Sequence, residues 1–233
     1  MLKAIGKEIW AVEYDFHAMG IHFPGRMTVI RLGDGTLWLC SVVPIDDALA
    51  AALEALGPVA HIVAPNKFHH VHLPQVVARY PSAQVWGAKG LAQKRKDLEF
   101  KDLEESAPDA WKSDLQQVAL AAVPTFNEVV FFHAQSGTLI TTDLFMNVHQ
   151  TSNLFSRFVY WIEGCYRNAA VPRLIRFLVK DKARMRDDLT SIAQWPIQRL
   201  LMAHGDIVES DAARIVRQSF VPFGAVSALP SGH

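Results

Sequence analysis

The chain predicts an α/β fold in which mixed sheets carry helices on their outer faces, and three observations predict it. Two β-prone runs flank Gly33-Asp34-Gly35, an Asp-Gly turn of the kind that closes hairpins because glycine accepts the positive φ required. Apolar runs then alternate with helix-spaced segments between residues 46 and 86. A second hairpin, 128–133 and 138–142 around Ala134-Gln135-Ser136-Gly137, is followed by helical sequence and a last strand ending at His204. Two such sheets packed face to face use this order well.

Residues 10–14 read as a short strand, followed by a loop carrying His17 and His22 and by the hairpin strands 27–32 and 36–41. Leu49, Leu53 and Leu56 recur at helical spacing over 46–56, and Gly57-Pro58 stops that helix. The run 59–64 is a strand. Residues 73–80 form a short helix with Pro74 in its first turn, where a missing amide donor costs little. A short strand follows at 83–86, a solvated helix or loop of mixed charge at 87–108, and a strand at 117–123. Trp38, Leu39, Ile62, Val63, Val129, Phe131, Leu139, Ile140, Leu200 and Leu201 belong to short apolar runs bounded by turns and are the expected core.

From 153 to 195 the chain changes character. Phe155, Phe158, Val159, Tyr160, Trp161 and Ile162 precede a helix-like stretch with Leu174, Ile175, Phe177 and Leu178. Arg157, Arg167, Arg173, Arg176, Lys180, Lys182, Arg184 and Arg186 add a local positive excess. One reading is a lid over a crevice, with the aromatic residues as an apolar wall and the arginines as a rim, or an interfacial helix attracted to an anionic surface. Another is a homodimer contact through 153–182. The commoner arrangement is a pair of amphipathic helices packed on a sheet with a basic solvent face. A helix over 187–194 leads into the last strand, and 227–233 reads as a loose tail. The expected organisation is one domain over 1–233 with a helical, lid-like insertion around 153–195.

Half of the 233 residues are hydrophobic and a fifth are charged, the composition of an ordinary globular domain with a sizeable core. Formal net charge is zero, which removes the whole-protein electrostatic argument for nucleic acid. No segment reaches the length of a membrane span, and the first residues lack a signal-peptide layout. Cys40 and Cys165 are too few for a disulfide framework, so a cytoplasmic protein is expected.

The chemistry-bearing feature is Pro65-Asn66-Lys67-Phe68-His69-His70-Val71-His72, directly after the apolar run 59–64. Imidazole is the commonest metal ligand, and a divalent ion needs three or four donors at one point. Two later apolar strands also end in a donor: Thr142-Asp143 and His204-Gly205. Each feature alone has an ordinary explanation: a solvated His pair, a turn-forming Asp, a strand stopped by Gly. Together, at the ends of several strands, they point to one crevice.

The order of strand, histidine-rich loop, helix, hairpin ending in Thr-Asp, helix and strand ending in His-Gly resembles the metallo-β-lactamase-like superfamily. More closely, the chain resembles an uncharacterised family, a domain of unknown function, on the margin of that superfamily. The residues that carry this are Arg26-Met27-Thr28-Val29, Pro65-Asn66 with His69-His70, the run from Glu128 to His133, and Thr142-Asp143-Leu144. The resemblance spans about residues 9–207 and implies a four-layer αββα sandwich with its site at one edge between the sheets. It also implies one or two Zn, Fe or Mn ions that acidify a bound water and supply a hydroxide nucleophile. Asp143 matches the bridging Asp and His204 the last His. The loop departs from His-x-His-x-Asp-His: Asn66 and Phe68 stand at the first two His positions, or, with His70 as the final His, Pro65 and Lys67 do. At the third-His region the chain reads Val123-Pro124-Thr125-Phe126-Asn127-Glu128, where Glu128 is either a carboxylate substitute or a strand-start residue.

Three outcomes follow from that departure. A single ion is held by members of His69, His70, His72, Asp143 and His204; or a rearranged site recruits His149, or His17 and His22; or the site is a relic. As an enzyme the chain would be a metal-dependent hydrolase of an ester, thioester, lactone or phosphoester. Its ligands would be His69, His70, Asp143 and His204, with His149 or His72 handling protons. Its partner would then be a small molecule, anionic if the arginines meet it. The alternative is a non-catalytic binding protein that keeps the sandwich and uses the crevice.

Overall fold

Successive residues of the central strands point into different cores, and that alternation sets the architecture. In the computed structural model, which describes residues 1–151 and 153–226, one sheet runs in chain order. Its strands are β1 (Leu2–Gly6), β2 (Ile9–Ala18), β3 (Ile21–Arg31), β4 (Leu37–Cys40), β5 (Val59–Ala64), β6 (Gln84–Ala88) and β7 (Lys101–Leu103). Pairing is antiparallel from β1 to β4 and parallel from β4 to β7. The second sheet holds β8 (Leu115–Ala119), β9 (Val129–His133), β10 (Thr138–Asn147) and β11 (Arg199–Gly205) in the order β11-β10-β9-β8. Only its β10–β11 pair is parallel.

Three cores separate four layers. Leu37 and Leu39 of β4 pack with Ala50 and Leu53 of α1 (Asp47–Glu54) and with Leu73 and Val76 of α2 (Leu73–Arg79). Trp38 and Cys40, one residue out of phase, turn the other way and meet Phe131, Ile140 and Leu201 of the second sheet. Val130, Phe132, Leu139 and Leu200 face outward again, onto Met185, Leu189 and Ile192 of α6 (Lys182–Ala193) and Val216 and Phe220 of α7 (Ala212–Phe220). The result is the αββα sandwich, and all ten expected core residues are buried. Trp38, Trp86 and Trp111 fill the space between the sheets edge to face, with ring centroids 6.1 Å apart for Trp38–Trp111 and 4.6 Å for Trp86–Trp111.

Several elements differ from the sequence reading. His17 and His22 do not lie in a loop: β2 and β3 extend as a long hairpin in which the two pair across the strands, and the turn falls at Met19-Gly20. Segment 87–108 contains α3 (Leu91–Lys94) and β7, and the strand expected at 117–123 begins at Leu115 and ends at Ala119. The helix expected from 187 begins at Lys182, because the Asp181 side chain accepts the Arg184 N–H at 2.9 Å and caps it. Strand β1 and helix α7 were not foreseen. The remaining helices are α4 (Leu154–Glu163) and α5 (Arg173–Leu178). The tail expected over 227–233 lies outside the described residues. Among the described residues no helix is long and apolar enough to cross a membrane.

Candidate metal centre

Strand β10 does not stop at Asp143, as its sequence suggested, but continues to Asn147. It stops pairing there instead. Register with β11 shifts between Thr141 and Met146, and pairing with β9 covers only Thr138 to Ile140. The freed backbone amides of Thr142, Asp143 and Leu144 all donate to the carboxyl group of Glu128, at 2.6, 2.9 and 2.8 Å. An irregularity of this kind re-aims a side chain. Here it turns Asp143 toward the edge between the sheets. Glu128 is therefore neither a carboxylate ligand nor a plain strand start: it is a cap on the interrupted strand.

Opposite Asp143, the chain leaves β5 through Pro65 and Asn66. The Asn66 side-chain oxygen accepts from the backbone amides of Phe68 and His69 at 2.8 and 3.0 Å, an Asx turn that folds the loop back at once. Its amide nitrogen donates to Thr142 Oγ1 at 2.9 Å and to Asp143 Oδ2. The fully buried Asn66 thus joins the two sheets at the site. Arg26 does the same on the far side, donating from Nη1 to the carbonyls of Met202 and Gly205 at 2.7 and 2.6 Å. Gly205 has φ +97°, and a Cβ there would collide with the Asn147 carbonyl, so the chain can leave β11 beside His204 only through glycine.

These supports bring His69, Asp143 and His204 together, with one ligand atom from each lying within 4.8 Å of the others. His69 Nε2 stands 3.5 Å from Asp143 Oδ2, and His204 Nε2 stands 3.3 Å from Asp143 Oδ1. Burial raises the Asp143 carboxyl, but the two imidazoles overcome it and hold the group well below the usual carboxylate range. Burial, and then the Asp143 charge, push Glu128 up to about 8. Two carboxyl groups so close resist ionising together.

The donor set fits a divalent cation. His204 Nδ1 is 3.1 Å from the Pro24 carbonyl oxygen, which can only accept, so Nδ1 carries the hydrogen. A neutral ring then presents the Nε2 lone pair to a carboxylate oxygen. Two acceptors would then face each other across 3.3 Å, so the gap holds either a cation or the Nε2 proton through which His204 lowers the Asp143 carboxyl. An imidazole whose far nitrogen donates to a carbonyl is the usual arrangement of a metal-binding histidine. Two imidazoles and one carboxylate leave room for exogenous ligands.

The trio lies in a crevice of about 710 Å³. Its walls come from the β2–β3 hairpin (Phe16, Phe23), the loop after β4 (Val42, Val43), the site loop with Phe126, and α4 and α5 (Val159, Tyr160, Ile175). His72 lines it, edge-on to Tyr14 with centroids 5.2 Å apart, and burial lowers its basicity. His70 also lines it, but it stands apart from the donor trio: its Nδ1 and carbonyl engage Arg95 Nη1 at 3.1 and 2.8 Å. Burial, then Lys94 and Arg95, depress its basicity. His149 is not in the crevice wall; it bonds Asn147 Oδ1 at 2.9 Å and lies 3.5 Å from Asp206. His17 reaches the wall without joining the trio, and His22 pairs with Asp15 at 3.4 Å.

Of the four aromatics expected to form an apolar wall, only Tyr160 faces the crevice; Phe155, Phe158 and Trp161 face solvent. None of Arg157, Arg167, Arg173, Arg176, Lys180, Lys182, Arg184 and Arg186 is in the crevice wall; Arg157, Arg173, Arg176 and Lys180 are exposed on and around α4 and α5 instead. One site residue escaped the sequence reading. Ser41, immediately after β4, places its hydroxyl within hydrogen-bond distance of His69 Nδ1 and has φ +59°. A polar residue ending an apolar strand was the only available signal.

Comparison with known proteins agrees with this architecture. The family described as a domain of unknown function (DUF4336) matches residues 6–157, well over half of the chain, and the chain belongs to it. No curated protein sequence matches. Among solved structures, a metallo-β-lactamase from Pontibacter korlensis superposes with a TM-score of 0.61 at 13% identity, covering 92% of this chain and 95% of that one. The mono-zinc form of the metallo-β-lactamase FIM-1 from Pseudomonas aeruginosa gives 0.62 at 13% identity, covering 95% of each. The metal-soaked Flv1 flavodiiron core from Synechocystis sp. PCC6803 gives 0.66 at 12% identity, covering 96% of this chain and 60% of that one. At such identities the likeness establishes the metallo-β-lactamase fold.

Proposed function

We propose that this member of the DUF4336 family is a metal-dependent hydrolase that holds one divalent ion, such as Zn, Fe or Mn, on His69, Asp143 and His204. The observation that carries the reading is the convergence of two imidazoles and a carboxylate, within 4.8 Å of one another, at the floor of an apolar crevice. A bound divalent ion supplies Lewis acidity there, lowering the pKa of a water and polarising an ester oxygen. The chain supplies the rest. Pro24 and Ser41 orient the two imidazoles, Asn66 and Glu128 hold Asp143, and the apolar walls exclude bulk water and strengthen electrostatics at the floor. Of the other imidazoles in the wall, His70 is engaged by Arg95 and His17 is exposed near the hairpin turn, which leaves His72 to move a proton.

The walls narrow the substrate. The arginine in them, Arg26, is taken up by the Met202 and Gly205 carbonyls and by Glu13. A phosphoester would meet no free guanidinium, whereas Phe16, Phe23, Val42, Val43, Phe126 and Ile175 suit an ester, thioester or lactone with a bulky apolar group. Elemental analysis of untagged protein tests the metal. About one ion per chain, lost in Asp143→Asn and in His69→Ala His204→Ala, is expected, together with chelator-sensitive cleavage of aryl esters of long-chain acids. A metal-free protein whose esterase activity ignores chelators would end the reading.

One observation favours a second reading. Ser41 Oγ, His69 and Asp143 form a continuous chain, with the serine in the left-handed region as strained nucleophiles often are. In that case His69 takes the Ser41 proton as the serine oxygen attacks the acyl carbon, returns it to the alcohol or thiol that departs as the ester or thioester bond breaks, and water then hydrolyses the acyl-serine. Covalent labelling by a fluorophosphonate, abolished in Ser41→Ala, would select it over the metal.

A further inference from the structure

Helix α4 is inside out. Its inward face carries Ser156 and Tyr160, whose hydroxyls hold the strand residue His22: Ser156 Oγ accepts the His22 N–H at 2.9 Å and Tyr160 donates to the His22 carbonyl at 2.8 Å. Its outward face carries Leu154, Phe155, Phe158, Trp161 and Ile162, at positions i, i+1, i+4, i+7 and i+8, all exposed. Trp161 is 66% exposed, and on α5 Phe177 reaches 82%. A helix in contact only with its own protein and water places these faces the other way round.

The exposure is confined to one side of the molecule. Apart from Met1, the exposed large apolar side chains of the described residues lie on three segments bordering the crevice: Met19 on the β2–β3 turn, Phe68 and Val71 on the site loop, and the α4–α5 pair. Met19, Phe68, Val71 and Leu174 belong to the crevice wall itself. The apolar rim and the apolar cavity are continuous.

Charge decides what covers the rim. Among residues 153–182 the basic side chains are Arg157, Arg167, Arg173, Arg176, Lys180 and Lys182, against Glu163 and Asp181. Arg157, Arg173, Arg176 and Lys180 are exposed beside the apolar side chains. A second copy of the chain would bring these like charges together. A bilayer with anionic headgroups instead takes Trp, Phe and Leu into its interface while Arg and Lys reach the phosphates.

We propose that the rim formed by α4, α5, the β2–β3 turn and the site loop docks onto an anionic lipid bilayer, with the crevice opening toward the lipid. The inference does not depend on hydrolysis, since it concerns where the protein sits. The test is flotation of the 233-residue chain with phosphatidylcholine vesicles, with and without phosphatidylglycerol. Binding is expected with the anionic vesicles and weakens as salt is raised. Phe158→Asp Trp161→Asp should lower partitioning about tenfold or more with an unchanged melting temperature, because both side chains are already exposed. Arg176→Glu Lys180→Glu should remove the preference for anionic vesicles. Should the double aspartate variant misfold, quenching of tryptophan fluorescence by brominated-chain lipid, reduced in Trp161→Phe, reports the same contact. Absence of flotation with either vesicle overturns the proposal. So does a protein that ignores vesicles and light-scatters as a dimer, converted to monomer by Phe158→Asp Trp161→Asp, in which case a second copy covers the face.

Discussion

The floor and the rim of the crevice each reverse the ordinary distribution of side chains, in opposite senses. The floor buries polar groups: Asn66, Glu128, Asp143 and His204 are all nearly or fully inaccessible. The rim exposes apolar ones, Phe158, Trp161 and Phe177 among them. The floor is tolerable because each of these residues has a hydrogen-bond partner in the chain, and the one gap, between His204 Nε2 and Asp143 Oδ1, is where a cation or a proton sits. The rim has no partner within the described chain. One inversion is resolved by the chain's own hydrogen bonds around a small cation or proton site, while the other needs a whole surface to cover it. Stability should therefore respond strongly to changes at the floor and hardly at all to changes at the rim.

The largest effect is expected at Glu128. Its removal leaves three amides of an interrupted strand unpartnered beside a buried carboxylate, and Glu128→Ala should cost about 3–5 kcal/mol in urea unfolding. Metal content should fall with it, because Asp143 loses the backbone support that aims it. Glu128→Gln, which keeps one strong acceptor, should lose less. A cost under about 1 kcal/mol for the alanine variant would mean that water replaces the carboxyl group and that the floor is not rigid.

Next comes Ile140, buried between the sheets two residues before the strand breaks. Ile140→Ala should cost about 2–5 kcal/mol, with metal content intact once the protein is folded. Destabilisation coupled to metal loss would show that the floor and the intersheet core are one unit.

Ile140 also shows which parts of this molecule were legible. It belongs to a short apolar run bounded by turns whose strand is covered on both faces, so burial follows whichever way the side chain points, and the same holds for the other nine core residues. Asp143 and His204 were readable because each follows an apolar run. The choice between His69 and His70 was not. Adjacent residues in a loop are told apart by the Asn66 turn, which sends one ring to Asp143 and the other to Arg95. Ser41 was invisible because its partner arrives from 28 residues away. Glu128 stood out as a carboxyl group, yet its role depends on a register shift in β10 that no local pattern encodes. For α4 an apolar cluster shows that a face exists, not which way it points, so crevice wall, interfacial face, dimer contact and sheet-packing face are all compatible with its sequence.

Acid should sharpen the comparison by showing which buried imidazoles carry pH sensitivity. Burial depresses the basicity of His133 and His61, which lie away from the crevice, and of His70 and His72, which line it. For a base whose folded pKa is depressed, the unfolded chain binds the proton first. Its contribution to stability is present above the ordinary value of about 6.5 and is lost as pH falls through that value toward the folded one. Urea midpoints at about pH 7.5 and about pH 5.5 should therefore move apart less in His133→Gln than in the wild type. Equal losses in both proteins would assign the acid sensitivity to His61 or the crevice histidines instead.

The smallest effect is expected on the rim, and it is the most discriminating. Helices α4 and α6 have similar lengths, but α6 turns Met185, Leu189 and Ile192 inward onto the second sheet whereas α4 turns Leu154, Phe155, Phe158, Trp161 and Ile162 out. Leu189→Ala removes contacts that folding creates and should cost about 2–5 kcal/mol. Leu154→Ser and Phe177→Ser remove side chains that are 74% and 82% exposed, so folding hides little of them and stability should shift by no more than about 0.5 kcal/mol. Solubility should improve, since the apolar patch shrinks. A loss above about 1 kcal/mol at Phe177, measured on dilute protein without lipid, would mean that this side chain is covered in the free protein. The contrast between a satisfied floor and an unsatisfied rim would then collapse at that point.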